Sequence, residues 1–194
     1  MNNRLLIATR NHNKKQELAE MLSTCNIEVL TLDEIESLPE VEEDGETFAE
    51  NAIKKAKTIA ILSGYHCLAD DSGLVVDVLG GEPGVYSARY AGKNADDHKN
   101  NQKLLKKMEN IEEARRTARF VCVIAVGDPQ GNVETIHGVC EGRIGLIPSG
   151  TRGFGYDPLF IPLGYTKTFA ELSAEEKNSI SHRGRALQGI KPVL

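Results

Sequence analysis

The chain has 194 residues and a formal net charge of −5; it is 40% hydrophobic and 26% charged. This is the ordinary balance of a globular protein, and the length suits one domain with a sizeable core, or one divided into two lobes around a cleft. Without a basic field it lacks what a nucleic-acid polymer requires, and no apolar run approaches the roughly 20 residues of a bilayer span. The apolar stretch of the N-terminus is too short for a signal peptide. Cys25, Cys67, Cys122 and Cys140 are widely spaced and form no CxxC pair, which opposes structural zinc and a disulfide framework and suits a reducing cytoplasm.

In chain order, the apolar run Leu5 to Ala8 predicts a buried strand, Thr9 to Asn13 a polar loop, and the spacing of Leu18, Met21 and Leu22 a helix. Ile27 to Leu32 predicts a second strand. After the acidic loop 40–46, Thr47 and Glu50 stand at capping-box spacing. The helix they open is expected to bury Ala52, Ile53, Ala56, Ile59 and Ala60 and to leave Asn51, Lys54, Lys55 and Thr58 on its polar face. His66 to Ala69 and Leu74 to Val78 read as two short strands flanking Asp70-Asp71-Ser72-Gly73. Residues 80–84 read as a turn and Asp97 to Met108 as a helix. Thr117 to Gly127 and Asn132 to Ile144 read as a hairpin, 148–158 as a Gly-rich loop, Leu159 to Ile161 as a short strand and 181–190 as a last helix. Strands flanked by helices, together with a long hairpin, predict an α/β fold on a mixed sheet.

Four features carry candidate chemistry. The loop Thr9-Arg10-Asn11-His12-Asn13-Lys14 joins a strand to a helix, where amide groups and the positive dipole end favour an anion; Lys14 in the first turn fits if that anion lies beside it. The same loop taken alone also reads as a plain turn with an Asn cap. No GxxxxGK[ST] occurs, so it is not a Walker loop. Second, carboxylates gather at Glu40, Glu42, Glu43 and Asp44 and again at Asp70 and Asp71. Magnesium accepts one or two carboxylates together with substrate phosphates, and an Asp pair ending a buried strand suits it, with Ser72 and Gly73 turning the chain close to a ligand. Third, Lys55, Arg89, Lys177, His182 and Arg183 supply cations whose value depends on whether the fold gathers them. Fourth, Gly153-Phe154-Gly155-Tyr156-Asp157 offers exposed rings for stacking on a planar base and a carboxylate for purine N–H groups; plugging the core is the alternative.

The motifs TRNHNK at 9–14, ENAIKKA at 50–56, ADDSGL at 69–74, GGEPGVYSARYAG at 80–92, GFGYDPLF at 153–160 and EKNSISHRGRAL at 176–187 stand in one order. On them the chain resembles the inosine triphosphate pyrophosphatase family, also described as dITP/XTP or non-standard purine NTP pyrophosphatases. The resemblance implies an elongated mixed β-sheet with flanking helices, two lobes around a central cleft, and one pyrophosphatase domain over residues 1–194. It implies Mg²⁺-dependent hydrolysis of ITP, dITP and XTP to the monophosphate and pyrophosphate, by a homodimer that clears deaminated purine nucleotides.

Carried over, the resemblance gives the 9–14 loop, with Thr9, Arg10, Asn11, His12, Asn13 and Lys14, to the phosphates. Lys55 and Lys177 become further substrate contacts, Arg89 a weaker one, and Ser72 lies beside the substrate. Asp71 becomes the general base and, with Glu42, the metal ligand, with Glu43 as fallback. Phe154 stacks on the base, with Gly155 and Tyr156 shaping the pocket. Asp157 meets the N1 edge, and His182 and Arg183 donate to the 6-oxo group. Arg10 and His12 make the first loop bulkier than the family's, and the short tail after Leu187 bears on lobe packing or the dimer. Two other readings are a non-catalytic purine nucleotide-binding or sensing module on the same fold, and a nucleic-acid module reading bases with Phe154 and Tyr156, which the net acidity opposes.

Overall fold

A computed structural model describes residues 4–23, 27–35 and 38–190. The elements are β1 (Arg4–Ile7), α1 (His12–Leu22), β2 (Glu28–Thr31), α2 (Phe48–Ser63), β3 (His66–Val76), α3 (Asp97–Lys107), β4 (Thr117–Gly127), β5 (Val133–Ile144), β6 (Phe160–Pro162), α4 (Ala174–Ile180) and α5 (His182–Gln188). The strands form one six-stranded sheet in the order β2-β1-β3-β4-β5-β6. β1 runs parallel to β2 and β3, while β5 and β6 are antiparallel. The sheet is therefore mixed and helix-flanked, as the sequence predicted.

The chain divides into two compact units: residues 1–71, 122–137 and 186–194 form the first, and 72–121 and 138–185 the second. In the first unit the alternation of β3 assigns each side chain a face. Leu5, Ile7 and Leu68 pack with Leu18 and Leu22 of α1 and with Ala186, Leu187 and Ile190. Leu6, Cys67 and Ala69 pack with Ala52, Ala56, Ile59 and Ala60 of α2 on the other face. Asn11 caps α1, its side chain accepting from the Lys14 N–H; Thr47 and Glu50 close the capping box of α2.

The second unit has its own core, in which Leu74, Tyr90, Leu104, Phe120, Tyr156, Phe160 and Phe169 are buried together. Arg116 is buried there too, its guanidinium donating to the carbonyls of Met108, Ile111 and Gly145. Burying a charge among carbonyl oxygens is tolerable because each guanidinium nitrogen donates to one of them.

Three expectations are corrected. β3 is one strand from His66 to Val76, so Asp70 and Asp71 lie within it, and Ser72-Gly73 makes no turn. Pairing and burial here override the turn preference of the Asp-Asp-Ser-Gly run. In α2 Ile53 is 36% exposed, whereas Asn51 and Lys55 are buried, at 1% and 8%. α4 was not anticipated at all. Cys67, Cys122 and Cys140 are buried thiols; Cys25 lies outside the described residues. No helix among the described residues is long and apolar enough to cross a membrane.

Candidate active site

In the first unit, the alternation that sorts the core also separates the two aspartates. Asp70 continues the Leu68 face toward α1, and its Oδ2 lies 3.1 Å from Lys14 Nζ. Asp71 continues the Ala69 face toward α2, where Asn51 Nδ2 donates to its Oδ2 at 3.0 Å. Lys55, one turn along α2 from Asn51, donates to the Asp70 carbonyl at 2.6 Å and pairs with Glu43 of the acidic loop. Asp70 and Asp71 are 0% and 5% exposed. Burial raises the Asp71 carboxyl above its ordinary range and nearby Glu43 adds to this, while Lys14, Lys55 and the Asn51 amide oppose it.

The predicted first loop supplies Lys14 to this group. Its Thr9 Oγ1 accepts from the Asn11 N–H at 3.2 Å, and the side chains of Arg10, Asn11, His12 and Asn13 are exposed at the amino end of α1. Arg10 is drawn to the Leu38 carbonyl at 3.3 Å. Of the acidic loop, Glu42 is exposed, and Glu43 is the carboxylate held against Lys55.

Among the described residues no group of three or more His, Cys, Asp or Glu side chains could hold a metal by itself. A hard divalent ion such as Mg²⁺ needs no such cage, because it takes one or two carboxylates and completes its shell with water and phosphate oxygens. The donors gathered at Asp71 and the acidic loop are all oxygens, so the residues fit that ion.

The second unit gathers the other predicted residues. Lys177 of α4 donates to Asp157 Oδ2 at 2.5 Å, with both side chains buried. That same oxygen accepts from the Phe154 N–H at 3.0 Å. Gly153 permits this: at φ +73 any Cβ there would lie 2.0 Å from Asp157 Oδ2. The half-buried Phe154 ring has Lys177 Nζ 5.0 Å and the Arg183 guanidinium 5.9 Å from its centroid. His182 stacks on Phe120 at 4.7 Å, and Arg183 Nη2 donates to Ser72 Oγ at 2.9 Å.

The expected exposed aromatic pair is corrected: Phe154 is partly accessible, but Tyr156 is 3% exposed and its hydroxyl donates to the Ser87 carbonyl at 2.8 Å. Arg89 lies over the Tyr86 ring, 5.1 Å from its centroid. Sequence reading missed Asn51, Asp97 and Asn101. Asp97 Oδ2 accepts from the Gly155 N–H at 2.6 Å, and Asn101 Nδ2 donates to the Gly155 carbonyl at 2.9 Å. The only advance signal was the i, i+4 spacing of Asn51 with Lys55 and of Asp97 with Asn101, which puts each pair on one helix face.

A buried carboxylate beside two lysines and a strand-to-helix amide loop, carried on a mixed sheet, gives this α/β protein donors for an anion and for a hard cation alike. The chain belongs to the Ham1 family, whose sequence model matches residues 5–193. It is 53% identical over 191 residues to a dITP/XTP pyrophosphatase of Desulforamulus reducens, covering 98% of this chain and 95% of that one. A dITP/XTP pyrophosphatase of Geobacter sulfurreducens is 52% identical over 191 residues, covering 98% and 96%. Among solved structures, a HAM1 protein from Coxiella burnetii superposes with a TM-score of 0.89 at 44% identity, covering 98% of this chain and 97% of that one. The Staphylococcus aureus Ham1 protein gives 0.87 at 40% identity, with 98% and 97% covered.

Proposed function

We propose that this chain is a nucleoside triphosphate pyrophosphatase that hydrolyses ITP, dITP and XTP to the monophosphate and pyrophosphate. The observation that carries the reading is the buried Asp71 carboxylate with Lys14 and Lys55 close by. The names of the relatives support the substrate class.

In this reading Lys14, Lys55 and the amide groups at the start of α1 receive the phosphates and offset their charge. Thr9, Arg10, Asn11, His12 and Asn13 line that receiving loop. Asp71 takes the proton of the water that adds across the α–β anhydride, as a general base. Mg²⁺, when bound by Asp71 with Glu42 or Glu43, supplies charge neutralisation at the phosphates. Phe154 stacks on the base, with Gly155 and Tyr156 fixing its loop. Asp157 and Lys177 meet the base end together, Ser72 holds Arg183, and His182 and Arg183 donate to the 6-oxo group. An amino group at that position cannot accept these donors, which disfavours adenine. One pyrophosphatase domain over residues 1–194 and a homodimer belong to the same reading and rest on the resemblance, and a cytoplasmic setting rests on the cysteine spacing.

The test separates products by ion-exchange chromatography after incubation with ITP, dITP, XTP, GTP and ATP, with and without Mg²⁺. Monophosphate and pyrophosphate in equal amounts from the first three, with ATP poorly used, is the expected result. Release of orthophosphate and a diphosphate refutes the assigned bond. Tight binding with no turnover returns the chain to a nucleotide-sensing module.

A further inference from the structure

Asn51 stands out among the residues not given a role above. It is 1% exposed on α2, and both ends of its amide are engaged. Its Oδ1 accepts from the Gly45 N–H at 2.8 Å, and its Nδ2 donates to Asp71 Oδ2 at 3.0 Å. The first bond determines the second: a backbone N–H must meet the carbonyl oxygen of the amide, so the NH₂ end is the one turned to the carboxylate.

The acidic loop is built to keep this contact. A Cβ on Gly45 would lie 2.8 Å from Asn51 Oδ1 and 2.8 Å from Glu50 Cβ, so a side chain there displaces the amide. Glu50 fastens the same turn, its Oε2 accepting from the N–H groups of Glu46 and Thr47 at 2.8 and 3.0 Å. The amide is thus held by backbone on a rigid helix and leaves Asp71 little choice of rotamer. A short, buried donor anchored at its far end is the usual means of fixing a reacting carboxylate in one orientation.

We infer that Asn51 is a positioning residue for hydrolysis: anchored by Gly45, it sets the plane of the Asp71 carboxylate and with it the direction in which the attacking water is held. This rests on the proposed role of Asp71. Asn51 touches no part of the substrate in this assignment and acts through Asp71 alone.

The experiment compares wild type with Asn51→Leu, Asn51→Asp, Gly45→Ala and, as a reference, Asp71→Asn. Steady-state kcat on ITP is measured beside the dissociation constant of an α,β-methylene ITP analogue, read by calorimetry in EDTA. Far-UV circular dichroism and the thermal midpoint report folding. Asn51→Leu removes both bonds, whereas Asn51→Asp still accepts from the Gly45 N–H and, while ionised, offers Asp71 no donor, so it remains informative if the leucine variant does not fold. A misplacement of this kind costs on the order of 10²-fold. The expected result is a fall in kcat of about 10- to 100-fold in Asn51→Asp, with analogue binding unchanged. Gly45→Ala should fall in the same direction, and its effect should not add to that of Asn51→Asp. If Asp71→Asn abolishes turnover while Asn51→Asp keeps wild-type kcat, the inference about Asn51 is wrong. It is equally wrong if kcat and analogue affinity decline together. If Asp71→Asn itself keeps full turnover, it is the reading of the site that fails.

Discussion

Lys177 and Asp157 form an ion pair whose side chains are only 7% and 4% exposed, so each neutralises a charge that the other's surroundings could not solvate. Such a pair is an asymmetric arrangement. Its making contributes little net stability, but breaking it from one side leaves an uncompensated charge indoors.

Lys177→Met is therefore expected to destabilise the fold by about 3–5 kcal/mol. The double variant Lys177→Met/Asp157→Asn should recover most of that loss, because the amide can still accept from the Phe154 N–H. Urea unfolding of the four proteins, analysed as a double-mutant cycle, measures the difference.

The two aspartates of β3 should separate by phenotype. Asp71→Asn should lower kcat on ITP by about 10²- to 10⁴-fold, the usual contribution of a general base, with folding retained. Asp70→Asn weakens the contact with Lys14 and should cost about 1–3 kcal/mol of stability. It should raise KM through Lys14 and leave kcat nearly unchanged. Equal kinetic losses in the two variants would contradict this division of labour.

Base recognition divides in the same way between Phe154 and Arg183. Phe154→Ala removes a stacking platform that is indifferent to the base, so KM for every purine triphosphate should rise by about 5- to 150-fold, matching the roughly 1–3 kcal/mol of one stacked ring. Arg183→Lys loses the guanidinium that is held by Ser72. It should reduce kcat/KM for ITP much more than for ATP, narrowing the ratio between them. Competition assays with mixed nucleotides read that ratio directly.

Burial pushes the Cys67 thiol up to about 12, from 9.0. A raised folded pKa means the native state holds its proton longer than the unfolded chain does. That contribution to stability is complete below pH 9.0 and is lost as pH rises toward about 12. Relative to wild type, Cys67→Ala should show a shallower decline of thermal midpoint over this interval, from a lower starting value because of the cavity it leaves. In the native protein Cys67 should also resist aromatic disulfide reagents at pH 8.

Local signals in the sequence read well where one turn of chain decides the structure. Thr47 and Glu50 identify the start of α2 because a capping box is closed within four residues. The same signature stood at Ser173 and Glu176, where it opens α4, a helix too short to show a hydrophobic period of its own. Asp70 to Gly73 misled because turn propensity belongs to the residues, whereas strand continuity depends on neighbours brought from elsewhere in the chain. Lys55 and Asn51 read only as members of a polar face for a similar reason: periodicity tells which side of a helix is apolar, not what acidic loop will cover its margin. Tyr156 is the converse case, since glycines around a ring suggest exposure but say nothing of the Ser87 carbonyl that receives its hydroxyl. The motif residues themselves were legible; their pairing with one another was not.

The opposite outlook of Asp70 and Asp71 gives β3 a rule of parity. Inserting or deleting one residue between the segment paired with β1 and these carboxylates would exchange their partners, turning the Asn51 side into the Lys14 side without altering a single functional residue. Lengthening by two would restore each to its own face but carry it about 6.6 Å along the strand, away from Lys14 and Asn51. Parity sets the face and length sets the reach, so the spacing from Cys67 to Asp71 is as much a part of the chemistry as the aspartates it delivers.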